Sequence, residues 1–237
     1  MCDSTINVSY GNIYKDIIDR LEVLNYISDE IQYNSKYPVN IAFDLGYNDA
    51  TAVVFWQTYN DRNFIIDYME VTRTFFMETI KKVKAKGFFD IKYCILPHDS
   101  TNNNVAGNGT TVYDMAVAEG WNVIRLPRAK SVLSEIEPCR TFLRTCQFNK
   151  TKCDLLLKHL SKYKFETKIS RDPAHLGEEY CGRKPEEFGD HLHGCDAFRY
   201  VAMSGPKIAT SNAFQNNLNK PRYNKINRNS VLYSEFS

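Results

Sequence analysis

The 237-residue sequence has seven cysteines but no CxxC pair, and it contains no GxxxxGK[ST] or GxSxG stretch and no long apolar span. The odd cysteine count and the spacing argue against a disulfide framework and against a structural zinc site. Cys139, Cys146 and Cys153 are seven apart and would share a face of one continuous helix, but Gln147-Phe148-Asn149 reads as a break. The thiols are therefore expected to be buried and reduced, in an intracellular chain that is neither secreted nor membrane-bound. Without a phosphate-cradling Gly-Lys loop there is no P-loop ATPase, and without a nucleophile elbow no α/β-hydrolase. Net charge is also scarce, at +2, so the whole chain makes no electrostatic case for a polyanionic partner. What charge there is lies at one end. From Gly205 onward Lys207, Lys220, Arg222, Lys225 and Arg228 face only Glu235, leaving the remainder slightly acidic.

What is present is enough apolar material (43%, with 13% aromatic) for one sizeable core. Ile13, Ile17, Leu21, Leu24 and Ile27 recur at helical spacing and predict a helix over about 12–31, which Pro38 separates from the first strand. Val39 to Asp44, Thr51 to Thr58 and Asn63 to Val71 read as three successive antiparallel strands joined by the turns 46–49 and 59–62. A helix over Thr74 to Lys86 follows, capped by Gly87, and its terminal lysines suit the helix dipole and read as a solvated face. Tyr93 to Leu96 reads as a buried strand. Thr110 to Glu119 then reads as a helix and Asn122 to Leu126 as a strand, an order that implies parallel pairing. Further helices are expected over Val132 to Thr145, disturbed at Pro138, and over Thr151 to Leu160. Phe165 to Ile169 reads as an edge strand, Arg171 to Gly189 as a long loop, Asp190 to Met203 as a helix, and the basic end as a flexible tail. This is an α/β chain: three antiparallel strands, then parallel ones, flanked by helices. Its divisions are expected at 1–37, an approach segment, 38–204, the domain, and 205–237, the tail.

The chemistry concentrates where strands end. Asp44 closes the first strand, Asp99 follows the buried fourth, and Asp196 lies within the late helix. Converging carboxylates suit Mg²⁺ or Mn²⁺, and two such ions about 3.5–4 Å apart activate water and stabilise the leaving oxygen of a phosphodiester. Each acid also has an ordinary use: Asp44 in the following turn, Asp99 in an Asx-turn, Asp196 in an ion pair with Arg199 three residues on. Asp49 is a candidate fourth ligand or a turn former. Glu70 ends the third strand on a face that the pleat alone decides. His193 lies three residues before Asp196 on the same helical face, suited to orient water or contact a phosphate, while His98 points away from Asp99 and His191 reads as surface.

The stretches FDLGYNDATAV, LPHD and HGCDAFRYVAM, together with CRTFLRTCQFNKTKCDLLLKHLSKYKFE and DPAHLGEE, resemble the C-terminal nuclease domain of the large terminase subunit of tailed bacteriophages over roughly 38–204. The resemblance implies an RNase H-like fold and a metal-dependent endonuclease that cuts concatemeric viral DNA during packaging, in the host cytoplasm. By motif, Asp44, Asp99 and Asp196 match its metal-binding acids and Asp49 an acid of the first hairpin. Expected partners are double-stranded DNA, the terminase small subunit, the portal and a packaging ATPase. No ATPase is encoded in this stretch, so it belongs either to a longer protein or to a separate chain. The tail after Gly205 is expected to meet packaging components or DNA phosphates. Rival expectations are a Holliday-junction resolvase or transposase core, a non-catalytic DNA-binding or scaffold module and, with only 106–110 resembling a second phosphate loop, an actin- or sugar-kinase-like domain.

Overall fold

A computed structural model describes residues 11–102, 110–169, 179–186 and 189–218. Its centre is a six-stranded mixed sheet in the order β5-β4-β1-β2-β3-β6. Strands β1 (Val39–Asp44), β2 (Ala50–Tyr59) and β3 (Arg62–Thr72) form the expected antiparallel meander. Beyond it, β4 (Ile91–Leu96) pairs parallel to β1 and β5 (Asn122–Arg125) parallel to β4. This is the RNase H-like arrangement of three antiparallel strands followed by parallel ones.

Alternation along β1 sorts its side chains onto two faces. Val39, Ile41 and Phe43 join Val53, Phe55, Cys94 and Leu96 in one core, closed by α2 (Phe76–Ala85) and α3 (Val112–Ala118). Helix α3 starts on a capping box between Thr111 and Asp114, and α2 ends at Gly87, whose φ of +73° only glycine adopts without strain. Asn40, Ala42 and Asp44 therefore lie on the opposite face, which carries α4 (Leu133–Leu143), α5 (Asp154–Lys162) and α6 (Leu192–Leu218). Phe198 of α6 is fully buried there between Phe142 and Phe148.

Four elements differ from expectation. The first helix, α1, covers only Lys15–Val23. Asn25 turns the chain with φ +56°, which frees Ile27 to bridge in parallel to Phe148. The break expected at 147–149 is an edge strand, β6 (Cys146–Phe148), parallel to β3. Part of the expected loop pairs as β8 (Glu179–Pro185) with β7 (Phe165–Ile169) in a separate two-stranded sheet. Helix α6 runs past Met203 and Pro206 to Leu218, so the first part of the expected tail is helical, while 219–237 lies outside the described residues. The contact pattern divides the chain at Gly205/Pro206. Helix α4 holds Pro138 within it, and no described helix is long and apolar enough to cross a membrane. The described cysteines, Cys94, Cys139, Cys146, Cys153 and Cys195, are buried free thiols on five different elements or their caps.

Candidate active site

The site forms at the carboxyl end of β1, on the face covered by α6. The turn after Asp44 is shaped by Gly46: its amide donates to Thr51 Oγ1 at 3.2 Å, and that hydroxyl donates back to the Gly46 carbonyl at 2.6 Å. A Cβ at Gly46 would meet the Ala50 carbonyl oxygen at 2.7 Å, so the close return of the chain needs glycine. Asp49 is exposed at the end of this turn.

Across the strands, Asp44 pairs with Ala52 and Ala52 with Glu70, so the two acids lie on one face, two strand spacings or about 10 Å apart. A bulge where Phe55 and Trp56 face Asp67 and Ile65 sets this phase. It places Ile66 in the other core and returns Tyr68 and Glu70 to the face of Asp44. That decides the one face that the pattern of residues left open.

Helix α6 brings the remaining groups. His193 Nδ1 lies 3.1 Å from Asp44 Oδ2. Hydrogen bonding to Asp44 raises the His193 pKa against the opposing effect of burial, and the charges of Asp44, Asp49 and Glu70 add to the rise. Burial pushes the Asp44 carboxyl up to about 6, and Asp196 pushes the same way, while the hydrogen bond from His193 opposes both. Asp196 makes the ion pair weighed above as its ordinary use. Arg199 donates to Asp196 Oδ1 through Nη2 at 2.8 Å and Nε at 3.2 Å, and to Glu135 Oε2 through Nη1 at 2.5 Å. Burial works against the Arg199 charge, but Asp196, Tyr200 and Glu135 outweigh it and hold the guanidinium above its ordinary pKa.

Asp99 is exposed in the turn after β4, beside exposed His98. Tyr200 connects it with the others. Burial raises that phenol above its ordinary range, and the charges of Asp44, Asp196 and Asp99 all add to the rise, so the three acids lie within electrostatic reach of one ring. His191 is tied to Glu186, with Nε2 2.6 Å from Oε1.

Behind His193, Gly194 packs where a Cβ would be 2.6 Å from His159 Nδ1 and 2.8 Å from Tyr68 Oη. Tyr68 donates its hydroxyl to Glu70. His159 Nδ1 lies 3.2 Å from Glu70 Oε1 without a hydrogen-bonding angle, so the attraction is ionic when the ring is protonated. Burial alone would raise the Glu70 pKa, and His159 and Tyr68 reverse this to a net lowering. Arg199, Tyr200, Tyr68 and His159 were not legible as site residues. Only the i,i+3 spacing of Asp196 and Arg199 carried a local signal.

Among the described residues, no group of three or more His, Cys, Asp or Glu is gathered tightly enough to hold a metal. The donor chemistry nevertheless fits a hard divalent cation. Both Arg199 bonds end on Asp196 Oδ1, leaving Oδ2 without a hydrogen-bonding partner among the described residues, and Asp44 Oδ1 is in the same position. Asp196 adds to the cost of ionising Asp44, and a cation beside that carboxylate would relieve the cost. Mg²⁺ commonly takes one or two protein carboxylates and completes its shell with water and substrate oxygens.

No protein-family model matches the sequence. A comparison with curated proteins finds no match either. Solved structures do match in fold. The large terminase of a thermophilic bacteriophage superposes with a TM-score of 0.60 at 18% identity, over 83% of this chain and 45% of that one. The chain thus spans less than half the length of that protein. The large terminase nuclease of the thermophilic phage G20c, solved with bound magnesium, matches with a TM-score of 0.51 at 11% identity, over 82% of this chain and 98% of that one. The chain has the fold of a large terminase nuclease domain.

Proposed function

We propose that this chain is a divalent-metal-dependent endodeoxyribonuclease that cuts concatemeric viral DNA during genome packaging, in the cytoplasm of the host cell. The observation that carries the reading is the pair Asp44 and Asp196, each with an oxygen unpartnered among the described residues, at the carboxyl end of a sheet with the terminase nuclease fold. Asp44 and Asp196 would hold the cation, Mg²⁺ or Mn²⁺, and the exposed Asp99 and Asp49 would complete a two-ion site. Bound there, such ions supply Lewis-acid polarisation of the phosphodiester and relieve the repulsion between the carboxylates.

The chain's own residues do the rest. Arg199 fixes Asp196 through Oδ1 and keeps Oδ2 directed to its task. His193, held by Asp44 through Nδ1, keeps its other ring nitrogen for proton transfer at the phosphodiester. Gly46 and the Thr51 hydroxyl hold the turn that follows Asp44, so that the acid projects from a rigid strand end. Double-stranded DNA is the substrate. The terminase small subunit, the portal and a packaging ATPase are the partners that would position it.

The test is cleavage of supercoiled plasmid in Mn²⁺, Mg²⁺ or EDTA by the native chain, Asp44→Asn and Asp196→Asn. Metal-dependent nicking by the native chain, lost in both variants, is expected. Nicking that persists in EDTA or in both variants would sink the reading.

A further inference from the structure

A second feature adjoins Asp196. A cavity of about 560 Å³ opens between the segment leading into α4, the end of β8 and the first turns of α6, and Asp196 forms part of its wall. Its volume lies within the range of small-ligand pockets, about 300–1,000 Å³. Leu133, Pro185 and Leu192 make the wall apolar. Tyr163 adds an aromatic surface, its ring backed by Tyr14 at a centroid distance of 5.7 Å and an interplanar angle of 27°.

The charges around this cavity are unequal. Asp196 is paired with Arg199 through Oδ1, and Glu186 is held by His191 at 2.6 Å and by the Lys164 amide at 3.1 Å. Lys184 is exposed at the wall and has no carboxylate partner among the described residues. Exposed Arg128 and Lys130 lead into the same wall at Ser131, again without carboxylate partners among the described residues. An apolar and aromatic interior with Lys184 on its wall, without a carboxylate partner among the described residues, suits a planar, partly apolar group that carries a phosphate.

We infer that this cavity takes an unstacked nucleotide of the DNA strand being cut, next to the phosphodiester at Asp44 and Asp196. This rests on the nuclease reading above and adds to it a subsite and a preference. The base would lie against Leu133, Leu192 and Tyr163, and Lys184 would hold the neighbouring phosphate. Since a base stacked in duplex DNA cannot enter, a substrate in which one nucleotide is already unpaired near the cut is favoured.

The experiment compares a short fluorescent DNA duplex with the same duplex carrying a single-nucleotide bulge, with binding measured by anisotropy in Ca²⁺ and cutting in Mn²⁺. The native chain is expected to bind the bulged duplex about fivefold more tightly, the low end of what base stacking on an aromatic side chain gives. Leu133→Trp, at a half-exposed position, fills the cavity and is expected to erase the preference for the bulged duplex. Ser131→Trp obstructs the same wall from an exposed position and serves if Leu133→Trp fails to fold. Lys184→Ala is expected to weaken both duplexes and to lower the salt slope of binding by about one. Cutting by the native chain with no preference for the bulge, or a full preference in folded Leu133→Trp, would overturn the cavity's role and leave the nuclease reading intact. A preference in binding without any cutting would support the cavity and count against the nuclease reading.

Discussion

Replacing Asp44 by Asn should make the folded chain more stable at neutral pH, although it removes a hydrogen-bonded charge. The Asp44 side chain is 15% exposed, and its pKa rises from 3.8 to about 6 on folding. A carboxylate whose folded pKa is raised favours the folded state below its unfolded value, and that contribution is lost as pH rises through the folded one. At 1.36 kcal/mol per pH unit, ionised Asp44 costs the metal-free chain about 3 kcal/mol at neutral pH relative to pH below 4. The pull of the His193 charge is already contained in that rise, so Asn, which keeps an acceptor for the ring, should gain about 2–3 kcal/mol. The assay is urea unfolding of both proteins in EDTA at pH 8 and pH 4. The variant should be the more stable at pH 8, with the gap narrowing toward pH 4, where the native carboxyl is protonated. A variant less stable than the native chain at pH 8, or a gap that ignores pH, would refute a strained, buried carboxylate at this position.

Three further outcomes follow from the same contacts. Adding Mn²⁺ should raise the unfolding temperature of the native chain with the logarithm of its concentration above the dissociation constant and leave that of Asp44→Asn nearly unmoved; equal shifts in both would place the ion elsewhere. Arg199→Met should destabilise by about 3 kcal/mol, because it strands Asp196 and Glu135 beside a buried position, with water at the 36%-exposed Asp196 holding the loss to the low end for a broken buried pair; a loss below about 1 kcal/mol in urea would reduce the contact to a surface bridge. Gly46→Ala should cost about 1–3 kcal/mol and lower nicking more than the stability loss explains, because the new Cβ presses on the Ala50 carbonyl and moves the turn next to Asp44; unchanged stability and activity would show that the turn is not tight.

The elements most legible in the residues were those with their own periodicity. β1, β2, β3 and β4 came from β-branched and aromatic runs between turn residues, and α2 from its apolar spacing and Gly87. The mixed α/β order followed from them, and with it the strand ends that bear Asp44 and Asp99. Two elements were illegible for a local reason. β6 is three residues long and exists because β3 offers it a free edge, and the region read as a loop contains β8, which depends on β7 as its partner. Neither has enough sequence of its own to declare a period.

The sequence by itself determined which acids stand at strand ends and on the late helix, because strand termini and helix spacing are written in nearby residues. Tertiary structure alone decided what each acid meets. The bulge in β3 put Glu70 on the face of Asp44, and the docking of α6 at Gly194 set His193 on Asp44 and buried Arg199 between Asp196 and Glu135. Those contacts join residues as many as 149 positions apart, and their strength comes from burial. A low-dielectric surround makes a lone carboxylate costly and a paired one stable, and no stretch of sequence creates that surround until the sheet and its helices have packed.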